Sequence, residues 1–523
     1  ATNMFDGTGL SYDISFNIWQ NWSSVSSINQ TNATAIGQVM NSLNIIDLSG
    51  LYQDTSFNID IGGWDVSMVR DMSQMFNGAR IFNQDISAWN VSRVTDMSSM
   101  FQTAISFETG IFELEPNSQV NNMSSMFQEA VSFNDDISGW YVGKVTDMSN
   151  MFKDATKFDK DINEWNVSSV ITMKEMFNFA IDFNKPLYKW DVEKVEIMSN
   201  MFNNAQSFVQ DINEWNVSTV TDMTGMFQNA VHFNKPLHRW NVSRVKNMSR
   251  MFQTAISFNQ DIDCWNVSRV TDMSSMFKGA KNFNKDIGCW HVNEVMNMNN
   301  MFNGAESFDQ DISNWNVSKV TDMTNMFNGA RRFNQDIGRW NVSGVTDMSS
   351  MFNGARRFNQ DITGWNVSGV TDMSSMFQGA IDFDQDITGW NVSRVTNMSS
   401  MFQGAESFDQ DISGWNVSMV TNMSSMFQGA ESFDQDISGW NISSLLIASN
   451  MFDGTGLTGD NSFNIWKGWS VSSINATNAT AIGQVMNSLN IIDLSGLYDG
   501  KTTFNIDISG WDVSAVTDMS RMF

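Results

Sequence analysis

Histidine, cysteine, proline and positive charge are all scarce in this chain of 523 residues. Of the three histidines, His232 and His238 share one stretch with no recurring carboxylate pattern, and His291 has only Cys289 near it in sequence. No G-x-S-x-G, P-loop or dinucleotide fingerprint occurs, so the expectation is a protein without catalysis that requires no cofactor. Thirty Lys and Arg face 57 Asp and Glu, a net charge of −27. With a sequence pI of about 4.3, there is no basic stripe for a nucleic-acid partner. No run of about 18 apolar residues exists to span a membrane, and no signal-peptide pattern opens the sequence.

What is present is repetition. Phe408 opens FDQDISGWNVSMVTNMSSMFQGAES, and the phrase begins again at Phe433. Its tryptophan recurs every 25 residues from Trp140 to Trp440, with Trp64 and Trp89 upstream. A fixed period in this range marks stacked supersecondary units, each unable to bury its apolar face alone. Within one unit, Val395, Met398, Met401, Phe402 and Ala405 follow a helical stripe, with Ser393 and Thr396 as caps and Gly404 near the end. Ile387 to Val392 alternates like a short strand. The expected fold class is therefore an α/β solenoid, a leucine-rich-repeat-like coil of about 18 turns, each with one short parallel strand and one short helix.

The run W-N-V-S-x-V-T-D-M-S-S-M-F-x-G-A-x-x-F-N-Q-D-I resembles the 25-residue repeat of BspA-like leucine-rich-repeat surface proteins, of the mycoplasma lipoprotein type. The resemblance covers roughly Phe57 to Phe452. It implies a cell-surface or extracellular protein, often adhesive, and no catalytic residues.

Three segments follow: an irregular block at 1–57, regular repeats at 58–452 with an irregular turn at 102–127, and at 453–523 the start of a second copy. In the irregular turn Leu114 stands where Trp is expected, Pro116 enters and one residue is added. At Pro186 and Pro236, which replace the usual Asp, a strand is expected to begin later, because proline cannot donate to a ladder. Within the first block, Ala35 to Leu43 reads as helix. Residues 450–523 repeat 3–76 almost word for word, Met4 matching Met451 and Trp64 matching Trp511, with Trp22-Ser-Ser-Val against Trp469-Ser-Val as the main gap. Neither end carries a polar capping repeat, so the expectation is a window onto a longer tandem array.

Repetition turns polar positions into ladders. Asp261, Asp286, Asp311, Asp336, Asp361, Asp386, Asp411 and Asp436 recur before Ile. They read either as a calcium ladder or as turn residues accepting from nearby backbone N–H groups. The Asn of Trp-Asn-Val-Ser, as at Asn391 and Asn416, is formally a glycosylation sequon, but glycans about 5 Å apart would crowd, which favours a hydrogen-bonded ladder between turns. Glycans fit better in the irregular blocks, at Asn21, Asn29, Asn32, Asn475 and Asn478. Cys264 and Cys289 sit one period apart, at a spacing between turns that suits a disulfide, with two thiols as the alternative. The tryptophan, methionine and phenylalanine stripes read as core. Together these features lead to a non-enzymatic extracellular structural protein that self-associates through further copies of its long repeat into a filament or matrix fibre. The alternative is a cell-surface adhesin that binds glycans or proteins of a host or neighbour.

Overall fold

The computed structural model describes residues 4, 10, 12–501 and 504–523. Most of the Met4–Leu10 match that opens the first copy lies outside them. Two compact units divide the chain, Ala1–Asp261 and Ile262–Phe523.

In the second unit, the repeat around Phe402 shows how the backbone is satisfied. The N–H groups of Met398, Ser400, Phe402 and Gly404 donate forward to the carbonyls of Asn422, Ser424, Met426 and Gln428, at 2.8–2.9 Å. Between them, Met401, Gln403 and Ala405 close tight turns on Met398, Ser400 and Phe402 at 3.0–3.2 Å. Alternating between the two kinds of partner requires the chain to change hand. Ser400 has φ 55° and Gly404 φ 68°. Gly404 takes that conformation without a Cβ penalty; the column above and below Ser400 holds Ser or Asn at 300, 325, 350, 375, 425 and 450. The first unit is built the same way. Met148, Asn150, Phe152 and Asp154 donate to Thr172, Lys174, Met176 and Asn178, with φ 58° at both Asn150 and Asp154.

This arrangement overturns the α/β solenoid. Two left-handed residues four apart in each repeat, here Ser400 and Gly404, break the i→i−4 ladder, so no helix forms over 395–405 or its equivalents. The apolar spacing is nonetheless a true core pattern, since Val395, Met398, Met401, Phe402 and Ala405 are all fully buried. Nor is there a strand at 387–392. Among the described residues, parallel pairing is confined to single bridges further along, such as Asp372 with Asn397 and Asn397 with Asn422. The Pro186 and Pro236 turns consequently have no strand to delay; Leu187 and Leu237 simply fill the buried isoleucine position.

Aromatic columns run through each unit. Phe402 stacks on Phe408 at 4.0 Å within its repeat, and on Phe377 and Phe427 at 5.7 Å in the repeats either side. Trp390 lies parallel to Trp365 at 6.5 Å, and its Nε1 donates to the Ile362 carbonyl. The same columns occur in the first unit, for example Phe152 on Phe158 at 3.9 Å and Trp140 on Trp165 at 6.3 Å. Paired methionines fill the space between the rings, a task suited to an unbranched, adaptable side chain. At the irregular turn Phe112 takes the place of the tryptophan on the following side: it stacks on Trp140 at 5.9 Å and its carbonyl accepts the Trp140 indole N–H, while Leu114 is also buried.

Among the described residues, helices occur only in the irregular blocks. In the first unit these are α1, Tyr12–Ser23, and α2, Ala33–Ser42, which matches the segment expected from its apolar spacing. In the second they are α3, Gly459–Lys467, a π-helical turn at Gly468–Ser473, and α4, Ala479–Ser488. Helix α2 buries Ile36, Val39 and Met40, and Gly37 lets it lie against the ring of Trp64, whose Nε1 donates to the Ala33 carbonyl at 3.0 Å.

Candidate interaction surfaces

The aspartate ladder lies on the exposed side of each repeat. Asp411 Oδ1 accepts the N–H of Ser413 at 2.9 Å, and Asp286, Asp311, Asp336, Asp361, Asp386 and Asp436 do the same for the residue two ahead. Asp261, at the end of the first unit, is exposed at the equivalent position. These are Asx turns, the second of the two readings. Among the described residues, no group of three or more His, Cys, Asp or Glu side chains is placed to hold a metal ion.

Hydrogen bonds from the Ser or Thr two residues ahead, hydroxyl first and backbone second, hold Asp85, Asp311, Asp361 and Asp411 below the usual carboxylate range. A depressed folded-state pKa means that the stabilisation is present above the unfolded value of about 3.9 and is lost as pH falls through the folded one. Each group is solvent-screened, so the effect is expected from their number. The urea midpoint should hold steady between neutrality and about pH 5 and then drop below about pH 4; an unchanged midpoint at the lower pH would remove these turns from the account of stability.

A different acidic and amide column links the repeats. Asp384 Oδ1 accepts the N–H of Asp409 at 3.0 Å and the Nε2 of Gln410 at 2.8 Å, and Asp409 does the same for Asp434 and Gln435. Asn334 and Asn359 serve the same way in earlier repeats. The signal lay in the first polar residue of F-N/D-Q-D, which from Asp309-Gln310 to Asp434-Gln435 is always an Asx followed by Gln. Sequence reasoning instead assigned cross-repeat bonding to the Asn of Trp-Asn-Val-Ser. There the bonds are local: Asn391 and Asn416 accept from Ser393 and Ser418 at 3.2 Å.

The glycosylation candidates separate by access. Asn21 and Asn29 are exposed and Asn32 is half-buried. Asn475 is half-buried, with Nδ2 donating to the Ser443 carbonyl. Asn478 is fully buried and its Nδ2 donates to both Ile442 and Ser473, which leaves a glycan no room; that candidate is withdrawn. Cys264 and Cys289 are exposed thiols, the Cys289 Sγ donating to the Asp263 carbonyl at 2.8 Å. Partial burial, aided by the Asp263 charge, pushes both thiols above their ordinary pKa.

The second irregular block is seated on the repeats before it. Trp469 is fully buried, stacking on Trp440 at 6.3 Å and lying 6.1 Å from Phe452. Around it, Gln484 Oε1 accepts the N–H of Ala448 at 2.8 Å, and Asn461 Nδ2 donates to the Asp434 carbonyl at 2.9 Å. Beyond the block, Trp511 donates to the Ala479 carbonyl, and Leu494 resumes cross-repeat bonding to Asp518. The block therefore continues the stack in this unit rather than ending it. Its position was legible in the sequence, but the docking was not, because Trp469 stands 29 residues after Trp440 instead of 25.

No helix among the described residues is long and apolar enough to cross a membrane. No curated protein matches the chain. The family described as Mycoplasma protein of unknown function, DUF285, matches in tandem at residues 20–118, 115–215, 197–307, 281–382, 358–466 and 466–523. These matches leave only the first nineteen residues uncovered, and they run through the irregular blocks as well as the regular repeats. The chain belongs to the DUF285 family of tandem-repeat Mycoplasma proteins.

Proposed function

We propose that the protein is a non-enzymatic structural protein, acting outside the cell or at its surface, whose long repeats join into a filament or matrix fibre. The observation that carries this reading is the seating of the irregular block, 459–488, on 434–452. An irregular block that continues a stack allows one long repeat to follow another without interruption. The net charge of −27 suits a soluble, extended surface facing water, and the resemblance to BspA-like surface proteins supports the location. Neither calcium nor a disulfide is required by this reading. A bond between Cys264 and Cys289 would accord with an oxidising compartment.

Electron microscopy of the native material tests the reading. Continuous filaments with a layer line near about 4.8 Å support it. Isolated particles that remain single chains at every concentration sink it, and ligand screening for an adhesin that binds surface glycans or proteins would then take precedence.

A further inference from the structure

One surface column of the second unit changes sign once along its length. The residue after the buried alanine of each repeat, as Glu406 follows Ala405, reads Arg331, Arg356, Ile381, Glu406, Glu431 over five successive repeats. The four charged members are exposed and Ile381 is half-buried. Their rungs are evenly spaced, since the phenylalanines two residues on, from Phe333 to Phe433, stack at 6.0–6.1 Å. Backbone bonds fix the register: the N–H groups of Asp382, Ser407 and Ser432 donate to the carbonyls of Arg356, Ile381 and Glu406 at 3.0–3.1 Å. The repeat itself does not need charge here, because from Ile105 to Ile256 the same column holds only Ile, Val, Thr and Gln. Arg331 meets Glu306 at 3.3 Å; among the described residues no ion pair takes up Arg356, Glu406 or Glu431. Like charges stacked one above another repel, so each half of the column is left seeking the opposite sign.

We infer that this column is a contact between two copies of the chain running antiparallel, related by a two-fold axis level with Ile381. Such an axis carries each repeat onto the one equally far on the other side, so the contact is isologous. Arg331 then faces Glu431 of the second copy, Arg356 faces Glu406, and Ile381 faces its own copy at the centre of the ion pairs. The order plus, plus, apolar, minus, minus is the one that a two-fold axis makes complementary throughout; parallel copies in register set like against like. The adjoining column agrees with the same axis. Arg332 and Arg357 face Ser432 and Ser407, and Asp382, which meets its own copy at the axis, has an Arg357 one repeat away in each chain. The inference rests on the self-association reading and names the surface that sets two stacks side by side.

The test uses the full chain in dilute solution. Light scattering at low salt should give twice the single-chain mass, and the mass should fall to that of one chain at about 0.5 M sodium chloride, where screening shortens the reach of exposed charges to about 4 Å. Arg331→Glu with Arg356→Glu makes the column wholly acidic and should hold the chain single at low salt. Glu406→Arg with Glu431→Arg makes it wholly basic and should do the same. Mixed one to one, the two variants should double in mass again. All four positions are exposed, so the fold is not at risk and circular dichroism should be unchanged. A single-chain mass for the unaltered chain at low salt, a doubled mass that either variant keeps when alone, or a mixture that stays single overturns the pairing. In filaments, charge reversal should halve the width. Filaments of unchanged width overturn the pairing and leave the filament reading standing, whereas paired chains that never lengthen support the pairing and remove the filament reading.

Discussion

Phe402→Ala should destabilise the repeats around it by about 4 kcal/mol, within the range for truncating a fully buried phenylalanine. The ring is fully buried and lies between three others, at 4.0 Å from Phe408 and 5.7 Å from Phe377 and Phe427. Stacked aromatic contacts add to the loss of apolar burial, and the backbone on either side is tied to neighbouring repeats, so the cavity cannot collapse. In a stack where each repeat touches only its neighbours, removing one ring weakens two interfaces together. Urea unfolding of the full chain should show an early transition absent from the unaltered protein. Replacement of the exposed Asn416 by Ala, which touches neither column, is the control. Equal midpoints for Phe402→Ala and the control would show that the aromatic columns do not hold the repeats together.

The second large effect reverses the sign that helix propensity assigns. Gly37 lies inside α2, where Gly→Ala ordinarily stabilises by about 1 kcal/mol. Here a Cβ would lie 2.6 Å from Trp64 Cδ1 and 3.0 Å from its Nε1. The ring has little freedom to yield: its Nε1 is bonded to the Ala33 carbonyl, and Trp19 meets it edge-on at 5.9 Å. Overpacking of this kind costs about 1–3 kcal/mol, which exceeds the propensity gain. Gly37→Ala should therefore lower the thermal midpoint of the first block, and Gly37→Val should lower it further. The second copy repeats the arrangement, with a Gly483 Cβ position 2.5 Å from Trp511, so Gly483→Ala should behave alike. A raised midpoint for Gly37→Ala would mean that α2 does not rest on Trp64.

Both effects show which parts of the fold could be read from residues. Burial was legible. Every stripe position from Val395 to Ala405 is in the core, and so are the tryptophans, because only inward positions must stay apolar through so many repeats. Conformation was not. Offsets of three and four are shared by an α-helix and by a chain of tight turns whose alternate N–H groups leave for the next repeat. What separates them is the sign of φ at Ser400 and Gly404, and Ser or Asn at the first of these gives only a weak hint. The strand reading failed for a related reason. Trp390 and Val392 alternate with polar neighbours because Asn391 closes an Asx turn, and the parallel bridge falls at Asn397 instead.

The surfaces divide the same way. The aspartate ladder was found by its period, and its role as a set of turn caps was one of two readings that sequence left open. The column that crosses between repeats, Asp384 with Asp409 and Gln410, went unnoticed beside the more conspicuous Trp-Asn pair. Glycosylation candidates were placed by motif alone, and burial of Asn478 depends on a neighbouring repeat that no local motif records.

Far-UV circular dichroism of the full chain tests the central claim most directly, namely that backbone bonds between successive repeats hold them together without a helix or strand in each. The account predicts a spectrum dominated by turns, whose helical component is no larger than α1, α2, α3 and α4 can supply. A strong helical spectrum, of the size that one helix in every 25-residue repeat would give, would contradict it.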